Sequence, residues 1–179
     1  MEYFCIFVPN MMSSDKTYEM RQLSVFDGED IFQMLQTIGN NENAFTNPVK
    51  GMCYGEYKQW LKQQNDWSLG MNLPEGYVGQ TIFWLYVDSI PVGIGKIRHA
   101  LTEHSRQIGG TIGYAISDMY RGNGYGTVLL KLLLKKAEEM NVKEKWLTVE
   151  KTNPASKRVI EKNGGSLAGE NEERWFFCF

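Results

Sequence analysis

The chain has few of the residues that build disulfide frameworks and metal sites. It contains three cysteines, Cys5, Cys53 and Cys178, with no C-x-x-C spacing, and two histidines. An odd number of cysteines argues against a disulfide scaffold, and so few sulfur and imidazole ligands argue against a zinc site. We therefore expect reduced thiols and no bound metal.

Long apolar runs are also absent. None approaches the roughly 18 residues that a membrane-spanning helix needs. Residues 1–7 include an early acid and lack the basic and small-residue features of a signal peptide, so we expect a cytoplasmic protein without a membrane partner. A length of 179 residues and an ordinary globular composition predict a single domain, residues 1–179, around one core.

Charge is nearly balanced overall but unevenly distributed. Residues 121–162 hold ten basic and five acidic side chains, a net +5, so the rest of the chain carries −7 within a total of −2. A basic segment suits a polyanionic ligand, and an acidic remainder suits a cationic second substrate. Solvated helix faces would produce the same pattern, so the charges do not decide between these interpretations.

Apolar periodicity predicts an α/β protein with a mixed, mostly antiparallel sheet covered by helices on both faces. The predicted strands are Tyr3–Val8, Thr81–Val87, Val92–Arg98, Thr111–Ser117, Lys145–Glu150, Ser166–Gly169 and Arg174–Phe179. The predicted helices are Asp15–Val25, Glu29–Ile38, Tyr54–Gln64, Gly124–Met140 and Pro154–Asn163. Residues 88–91 should turn the second strand into the third as a hairpin, and residues 39–51 should form a loop.

A glycine-rich bend joins the predicted strand 111–117 to the helix that follows. Its sequence is Arg-Gly-Asn-Gly-Tyr-Gly, residues 121–126. A strand that turns through glycines into a helix presents free N–H groups and the positive end of the helix dipole, which together suit a phosphate. The spacing does not fit the Walker A motif, and Thr127 stands where the dinucleotide motif needs its last glycine. A tight structural turn remains the alternative.

The bend and the residues downstream resemble the GNAT superfamily of acetyl-CoA-dependent N-acetyltransferases. The motif R-x-x-G-x-G at 121–126 is similar to the pyrophosphate loop of that superfamily. The strand, Asn and helix that come next in the superfamily are similar to residues 147–156 and 159–165 of this chain. Residues 97–102 also resemble a subgroup of bacterial predicted acetyltransferases. The resemblance covers about 80–179 and implies a three-layer fold, an acetyl-CoA-binding core at 80–179 and an acceptor-side helical part at 1–79.

The resemblance also implies which residues contact the acetyl-CoA co-substrate. The cofactor-binding residues it assigns are Ala115, Ile116, Arg121, Gly122, Asn123, Gly124, Tyr125, Gly126, Thr127, Asn153 and Ser156. Glycines allow the backbone to approach a pyrophosphate closely. Two alternatives stay open, since Arg121 could be solvated and Asn153, which precedes Pro154, could serve only as a helix N-cap.

Catalytic residues are less well defined. Many family members carry a Tyr seven residues after the Asn, where this chain has Ile160, and others carry a Ser three residues after it, where this chain has Ser156. The catalytic residues that we predict are Asn153, Ser156 and Glu150. Further candidates for the base are Glu103, His99 and His104, and Cys53 is a candidate nucleophile that no pattern supports.

The sequence therefore predicts an N-acetyltransferase that moves acetyl directly from acetyl-CoA to a primary amine, on a small molecule or on a protein or peptide. We expect no nucleic-acid partner. Two other function classes stay open, a non-catalytic acyl-CoA-binding or regulatory module and a nucleotide-binding protein unrelated to coenzyme A. The apolar segment 175–179 predicts either a core strand or the interface of a homodimer.

Overall fold

A computed structural model describes residues 16–43 and 45–179 of the chain. The described strands are β1 (Tyr18–Gln22), β2 (Asn41–Glu42), β3 (Phe45–Thr46), β4 (Gln80–Val87), β5 (Ile90–Arg98), β6 (Ile112–Ile116), β7 (Trp146–Glu150), β8 (Ser166–Glu170) and β9 (Arg174–Cys178). The described α-helices are α1 (Glu29–Gln36), α2 (Tyr54–Ser68), α3 (Glu103–Gln107), α4 (Tyr125–Glu139) and α5 (Pro154–Lys162). None of these helices is both long and apolar enough to cross a membrane.

The strands form two main antiparallel sheets and one small hairpin. The larger sheet has the order β1-β4-β5-β6, the smaller sheet has the order β7-β9-β8, and β2 pairs with β3. The predicted hairpin is confirmed, since β4 pairs with β5 from Gln80 opposite Arg98 to Val87 opposite Ile90. Strand β9 is a core strand, because it lies between β7 and β8 and Phe177 is buried.

Helices cover both faces of the larger sheet, as the sequence predicts. On one face Phe83 and Leu85 pack with leucines of α4, and on the other Trp84 and Ile94 pack with α1 and α2. This division follows from the period of two along a strand, which sends successive side chains to opposite faces. A Cβ on Gly95 would lie 2.6 Å from Leu133, so the glycine allows α4 to sit close to β5.

The helix predicted over Asp15–Val25 is wrong within the described residues. The structure has strand β1 there, antiparallel to β4, with Arg21 opposite Trp84. Mixed apolar and polar residues over so short a segment fit either period, and the free edge of β4 supplies backbone hydrogen bonds that a helix would forgo. The strand predicted over Tyr3–Val8 lies outside the described residues.

Two smaller elements were not predicted. The segment predicted as a loop over 39–51 contains the hairpin of β2 and β3, and the short helix α3 follows β5. Each is too short to produce a measurable periodicity. The other predicted helices and strands occur with ends shifted by a few residues.

Strands β6 and β7 begin side by side and then separate. Helix α4 connects them, and the first contact between them joins the Thr111 N–H to the Trp146 carbonyl at 2.8 Å. No further main-chain hydrogen bond between the two strands is found among the described residues. Their separation opens a cleft at the junction of the two sheets.

Candidate active site

The cleft between β6 and β7 has a volume of about 400 Å³. Its walls come from both strands, the glycine bend, the start of α5 and the β2–β3 hairpin. The predicted site residues that line it are Ala115, Ile116, Arg121, Gly122, Gly124, Tyr125, Gly126, Thr127, Asn153 and Ser156. The fold therefore brings together residues that lie up to about 40 positions apart in the sequence.

Thr111 closes one end of the cleft. This side chain is fully buried, and its hydroxyl donates to the Glu144 carbonyl at 2.8 Å and accepts from the Trp146 N–H at 2.7 Å. Together with the main-chain bond to Trp146, these contacts hold the first residues of β6 and β7 together. The strands diverge from this point towards their carboxyl ends, where the two helices α4 and α5 begin.

One edge of β6 faces the cleft with its main-chain groups. Ser117 donates to the Val92 carbonyl and Thr111 accepts from the Arg98 N–H, so the odd-numbered residues bond to β5. Antiparallel pairing alternates, and the N–H and C=O of Tyr114 and Ile116 therefore point to the cleft. Ala115 lines the cleft but its main-chain groups belong to the ladder with Ile94. An extended amide-bearing ligand would thus meet Tyr114 and Ile116.

The glycine bend is open. Gly122 and Gly124 have φ of +81° and +79°, and a Cβ at either position would meet no atom within 4 Å. No acceptor among the described residues takes a hydrogen bond from the N–H groups of 122–126, whereas Thr127 N–H bonds to the Gly124 carbonyl. Helix α4 begins at Tyr125, so its positive dipole end adds to these donors. The bend can accept an anion without rearrangement.

Two residues of the bend use their side chains for contacts within the protein, and one of them, Asn123, is not among the residues that line the cleft. The Asn123 side-chain amide donates to the carbonyls of Tyr120 and Arg121 at 3.1 and 3.2 Å. The Tyr125 hydroxyl accepts from Lys16 Nζ at 2.8 Å. These side chains therefore stabilise the local conformation, and their main-chain N–H groups are what they offer to a ligand.

Arg121 is engaged by protein carboxylates. Its guanidinium donates to both carboxylate oxygens of Glu42, at 2.5 and 2.9 Å, and lies 2.7 Å from Asp118. Its Nε also donates to the Ile116 carbonyl at 3.0 Å. The hydrogen bonds from Arg121 hold the pKa of the Glu42 carboxyl below its usual range. Glu42, which lines the cleft, was not found from the sequence because it belongs to a segment predicted as a loop.

Asn153 caps α5 and still lines the cleft. Its Oδ1 accepts from the Ser156 N–H at 3.0 Å, as expected for an N-cap, and Pro154 follows at the first helical position. Capping uses only the carbonyl oxygen of the side chain. The amide nitrogen of Asn153 has no acceptor among the described residues and remains able to donate to a ligand.

Tyr114 and Ser156 meet across the cleft. The phenol oxygen lies 2.8 Å from Ser156 Oγ, and burial raises the pKa of Tyr114 to about 12. This tyrosine was not predicted from the sequence, because it lies on β6 while the family position for a tyrosine falls on α5. At that position Ile160 is fully buried in the core. Only the fold brings a phenol to Ser156 from the opposite wall.

Glu150 is not among the residues that line the cleft. Its carboxylate accepts from Arg174 Nη2 at 3.2 Å at the end of β7. His99 bonds to Thr81 at 2.9 Å, and it too is absent from the cleft wall, as are His104 and Cys53. Cys53 and Cys178 are free thiols, and no cluster of potential metal ligands occurs among the described residues.

Two basic residues of α5 line the cleft beside the glycine bend. They are Arg158 and Lys162, which are four residues apart and therefore lie on one face of the helix. Both belong to the basic segment seen in the sequence, but the sequence did not show which of its ten cations share a face. Their charges complement an anion held at the bend.

A family model described as an acetyltransferase (GNAT) domain matches residues 19–166, which is most of the chain. The chain belongs to the GNAT acetyltransferase family. It is therefore an acyltransferase. No curated protein sequence matches this acetyltransferase.

Solved structures share its fold. The ribosomal-protein-S5-alanine acetyltransferase of Vibrio fischeri is 15% identical with a TM-score of 0.68, and 90% of this chain and 92% of that chain are covered. A GNAT acetyltransferase of Streptococcus pneumoniae is also 15% identical, with a TM-score of 0.62 and coverage of 91% and 98%. The N-acetyltransferase PseH of Campylobacter jejuni, solved with acetyl coenzyme A, is 12% identical with a TM-score of 0.54 and coverage of 91% and 98%.

Proposed function

We propose that this acetyltransferase, acting as a single domain over residues 1–179, transfers acetyl from acetyl-CoA directly to a primary amine. The observation that carries the proposal is the open glycine bend, whose N–H groups at 122–126 have no acceptor among the described residues, at the mouth of the β6–β7 cleft. The acceptor amine belongs to a small molecule, a peptide or a protein.

The cleft supplies separate contacts for the two halves of coenzyme A. N–H groups of the bend bind the pyrophosphate, each hydrogen bond to a charged group contributing about 1.5–3 kcal/mol. Arg158 and Lys162 add positive charge next to it. The amides of the pantetheine arm pair with the free main-chain groups of Tyr114 and with the N–H of Ile116, as an added strand would, while the Ile116 carbonyl accepts from Arg121 Nε. The amide nitrogen of Asn153 donates to the same arm.

The transfer itself forms one bond and breaks one. The nitrogen of a neutral acceptor amine attacks the acetyl carbonyl, so that a C–N bond forms, the C–S bond breaks and coenzyme A leaves as a thiolate. The ammonium form of the amine loses one proton to water before the attack, and the nitrogen loses a second proton to water as the amide forms. For a lysine-like amine with a pKa of about 10.4, deprotonation at pH 7 costs about 4.6 kcal/mol. The enzyme reduces the rest of the barrier by placing both reactants in one cleft.

The pair of Ser156 and Tyr114 stabilises the departing sulfur through a hydrogen bond. Full proton transfer from Tyr114 is unfavourable, because its pKa of about 12 exceeds that of an ordinary thiol, about 8.5, by roughly 3.5 units, or about 5 kcal/mol. Tyr114 instead donates to Ser156 Oγ and leaves the serine hydroxyl proton directed at the sulfur. The thiolate then takes its proton from water.

A second candidate function is a non-catalytic acyl-CoA-binding or regulatory module. The specific observation in its favour is Ile160, a buried hydrocarbon where many relatives carry a proton donor. The same cleft would bind acetyl-CoA in either case. Steady turnover of acetyl-CoA in the presence of an amine panel distinguishes the enzyme from the module.

The binding proposal is tested with Gly124→Val. A β-branched side chain at φ +79° is strained and also occupies the space from which the bend donates, so we expect acetyl-CoA affinity to fall at least tenfold by calorimetry. Gly76→Val is the matched control, since Gly76 has φ +80°, an equally open surrounding and a position outside the cleft. Equal affinity for both variants would show that the bend does not bind the pyrophosphate.

A further inference from the structure

Two cations lie side by side on β5, on the sheet face that α1 and α2 cover. Lys96 and Arg98 are two residues apart and therefore share a face, and Lys96 lies opposite Gly113 of β6 in the register. Both side chains are partly buried. No carboxylate lies within ion-pair distance of either among the described residues.

Their present partners are neutral. Lys96 Nζ donates to the Thr46 carbonyl at 2.6 Å and lies 4.5 Å from the centre of the Phe45 ring. Arg98 Nη1 donates to the carbonyls of Gly109 and Gly110 at 3.1 and 2.8 Å. Burial, with a smaller contribution from the charge of Arg98, lowers the pKa of the Lys96 ammonium to about 7. Buried charges are normally paired, so this arrangement lacks the anion that would stabilise it.

The two cations lie just behind the part of the cleft wall that β3 and residues 109–113 form. Phe45, Gly113 and Gly109, which surround them, are all cleft-lining residues. The other wall of the cleft, with the bend and Arg158, is the wall that we assign to coenzyme A. An acceptor amine that reaches the acetyl group from the α1–α2 face therefore passes Lys96.

We propose that Lys96 and Arg98 form an anion subsite, and that the acceptor of this acetyltransferase is an amine that also carries a carboxylate. This inference rests on the proposed function, and it specifies the substrate class. The charge of this proposed acceptor is opposite to that of the cationic second substrate that the acidic remainder of the sequence suggests. Net charge over a segment does not report the charge at one face, and here the local charge is positive.

The test compares matched acceptor pairs that differ in a carboxylate. Thioester release from acetyl-CoA is measured with β-alanine against β-alaninamide, with Ala-Asp-amide against Ala-Asn-amide, and with spermidine as a cationic amine. We expect kcat/KM for the acid of at least one pair to exceed that for its amide by about tenfold or more, and spermidine to be poor. The first pair represents a small amino acid and the second an acidic peptide.

Variants connect the preference to the two cations. Lys96→Gln keeps a donor for the Thr46 carbonyl but removes the charge, and should reduce the acid-to-amide ratio to near one. Lys143→Gln removes a charge from an exposed position outside the cleft and should leave the ratio unchanged. If the wild-type protein shows no preference for acids, or if Lys96→Gln keeps it, the subsite does not exist.

A binding readout separates this proposal from the enzymatic one. In an NMR titration with glutarate, the amide signals of Gly109 and Gly113 should shift and saturate in the wild-type protein and in Lys143→Gln, but not in Lys96→Gln. Saturable shifts without turnover of any amine would support the anion subsite and reject the transferase function. Absence of saturable shifts in the wild-type protein would reject the subsite.

Discussion

At the scale of single residues, the contact between Tyr114 and Ser156 is the one to which we assign stabilisation of the departing sulfur. Ser156 follows the N-cap Asn153 by three positions, so its main-chain N–H is used by the cap while its hydroxyl remains available. The phenol oxygen of Tyr114, on the facing strand, lies 2.8 Å from that hydroxyl oxygen. The family tyrosine is replaced by the buried Ile160, and a phenol still reaches the cleft from another element.

Tyr114→Phe should lower kcat by about tenfold while changing acetyl-CoA affinity by less than threefold. The substitution removes one hydrogen bond to Ser156 and leaves the ring in place, and a hydrogen bond of this kind contributes about 0.5–1.5 kcal/mol. Steady-state kinetics and calorimetry measure the two quantities. Tyr120→Phe, on the same cleft, is the control, because the Tyr120 hydroxyl has no protein partner among the described residues and its loss should leave kcat unchanged. Unchanged kcat in Tyr114→Phe would exclude the role of the pair.

At the scale of elements, the site exists because β6 and β7 are joined at one end and separate at the other. Thr111 supplies the joint with its main chain and its hydroxyl, and the free edge of β6 then faces the cleft. The βαβ connection through α4 is what places the glycine bend at the open end. Strand pairing along the full length would have removed the free main-chain groups to which we assign the pantetheine arm.

Thr111→Val should destabilise the protein by about 1–3 kcal/mol and weaken acetyl-CoA binding. Valine has nearly the same shape, but it leaves the Trp146 N–H and the Glu144 carbonyl without the hydroxyl that they contact in a buried setting. Urea unfolding and calorimetry measure both effects. The control is Thr152→Val, at an exposed position, which should change stability by less than about 0.5 kcal/mol. Equal stability of the two variants would contradict the role of Thr111 as the joint.

At the scale of the whole molecule, charge is distributed by face rather than by segment. The basic segment 121–162 contributes Arg158 and Lys162 to the wall of the cleft that we assign to coenzyme A. The remainder of the chain, although acidic overall, places Lys96 and Arg98 on the opposite side. Cations therefore lie on both sides of the cleft, and Glu42, the acidic side chain that lines it among the described residues, is paired with Arg121.

Lys96→Met should make the ligand-free protein more stable than the wild-type protein near pH 6. This gain in stability should disappear as the pH rises towards 10. The folded-state pKa of Lys96, about 7, is below the unfolded value of about 10.4, so burying the protonated form destabilises the wild-type protein fully below pH 7. Between these values the unfolded state binds more protons, and wild-type stability rises with pH. Melting temperatures of both proteins from pH 6 to 10 test the sign, and Lys143→Met is the exposed control. A gain in melting temperature for Lys96→Met that grows with pH would contradict the lowered pKa of Lys96.

Much of the fold and half of the site follow from local sequence. The hairpin of β4 and β5, the strand that enters the glycine bend and the cap of α5 at Asn153 are each determined by residues close in the chain, through periodicity, glycine conformation and capping. The bend itself was identified from its residues, and the structure leaves its N–H groups without described acceptors.

Long-range packing decided the rest. Segment 18–22 is a strand because β4 offers an edge, Tyr114 reaches Ser156 because two strands diverge, and Lys96 lies beside Phe45 because β5 and β3 meet there. Local patterns carry the information about backbone conformation, since turns, caps and alternation depend on neighbours in sequence. Which side chains share a cleft, and which charges lack partners, depends on contacts between segments distant in sequence, and only the folded chain determines them.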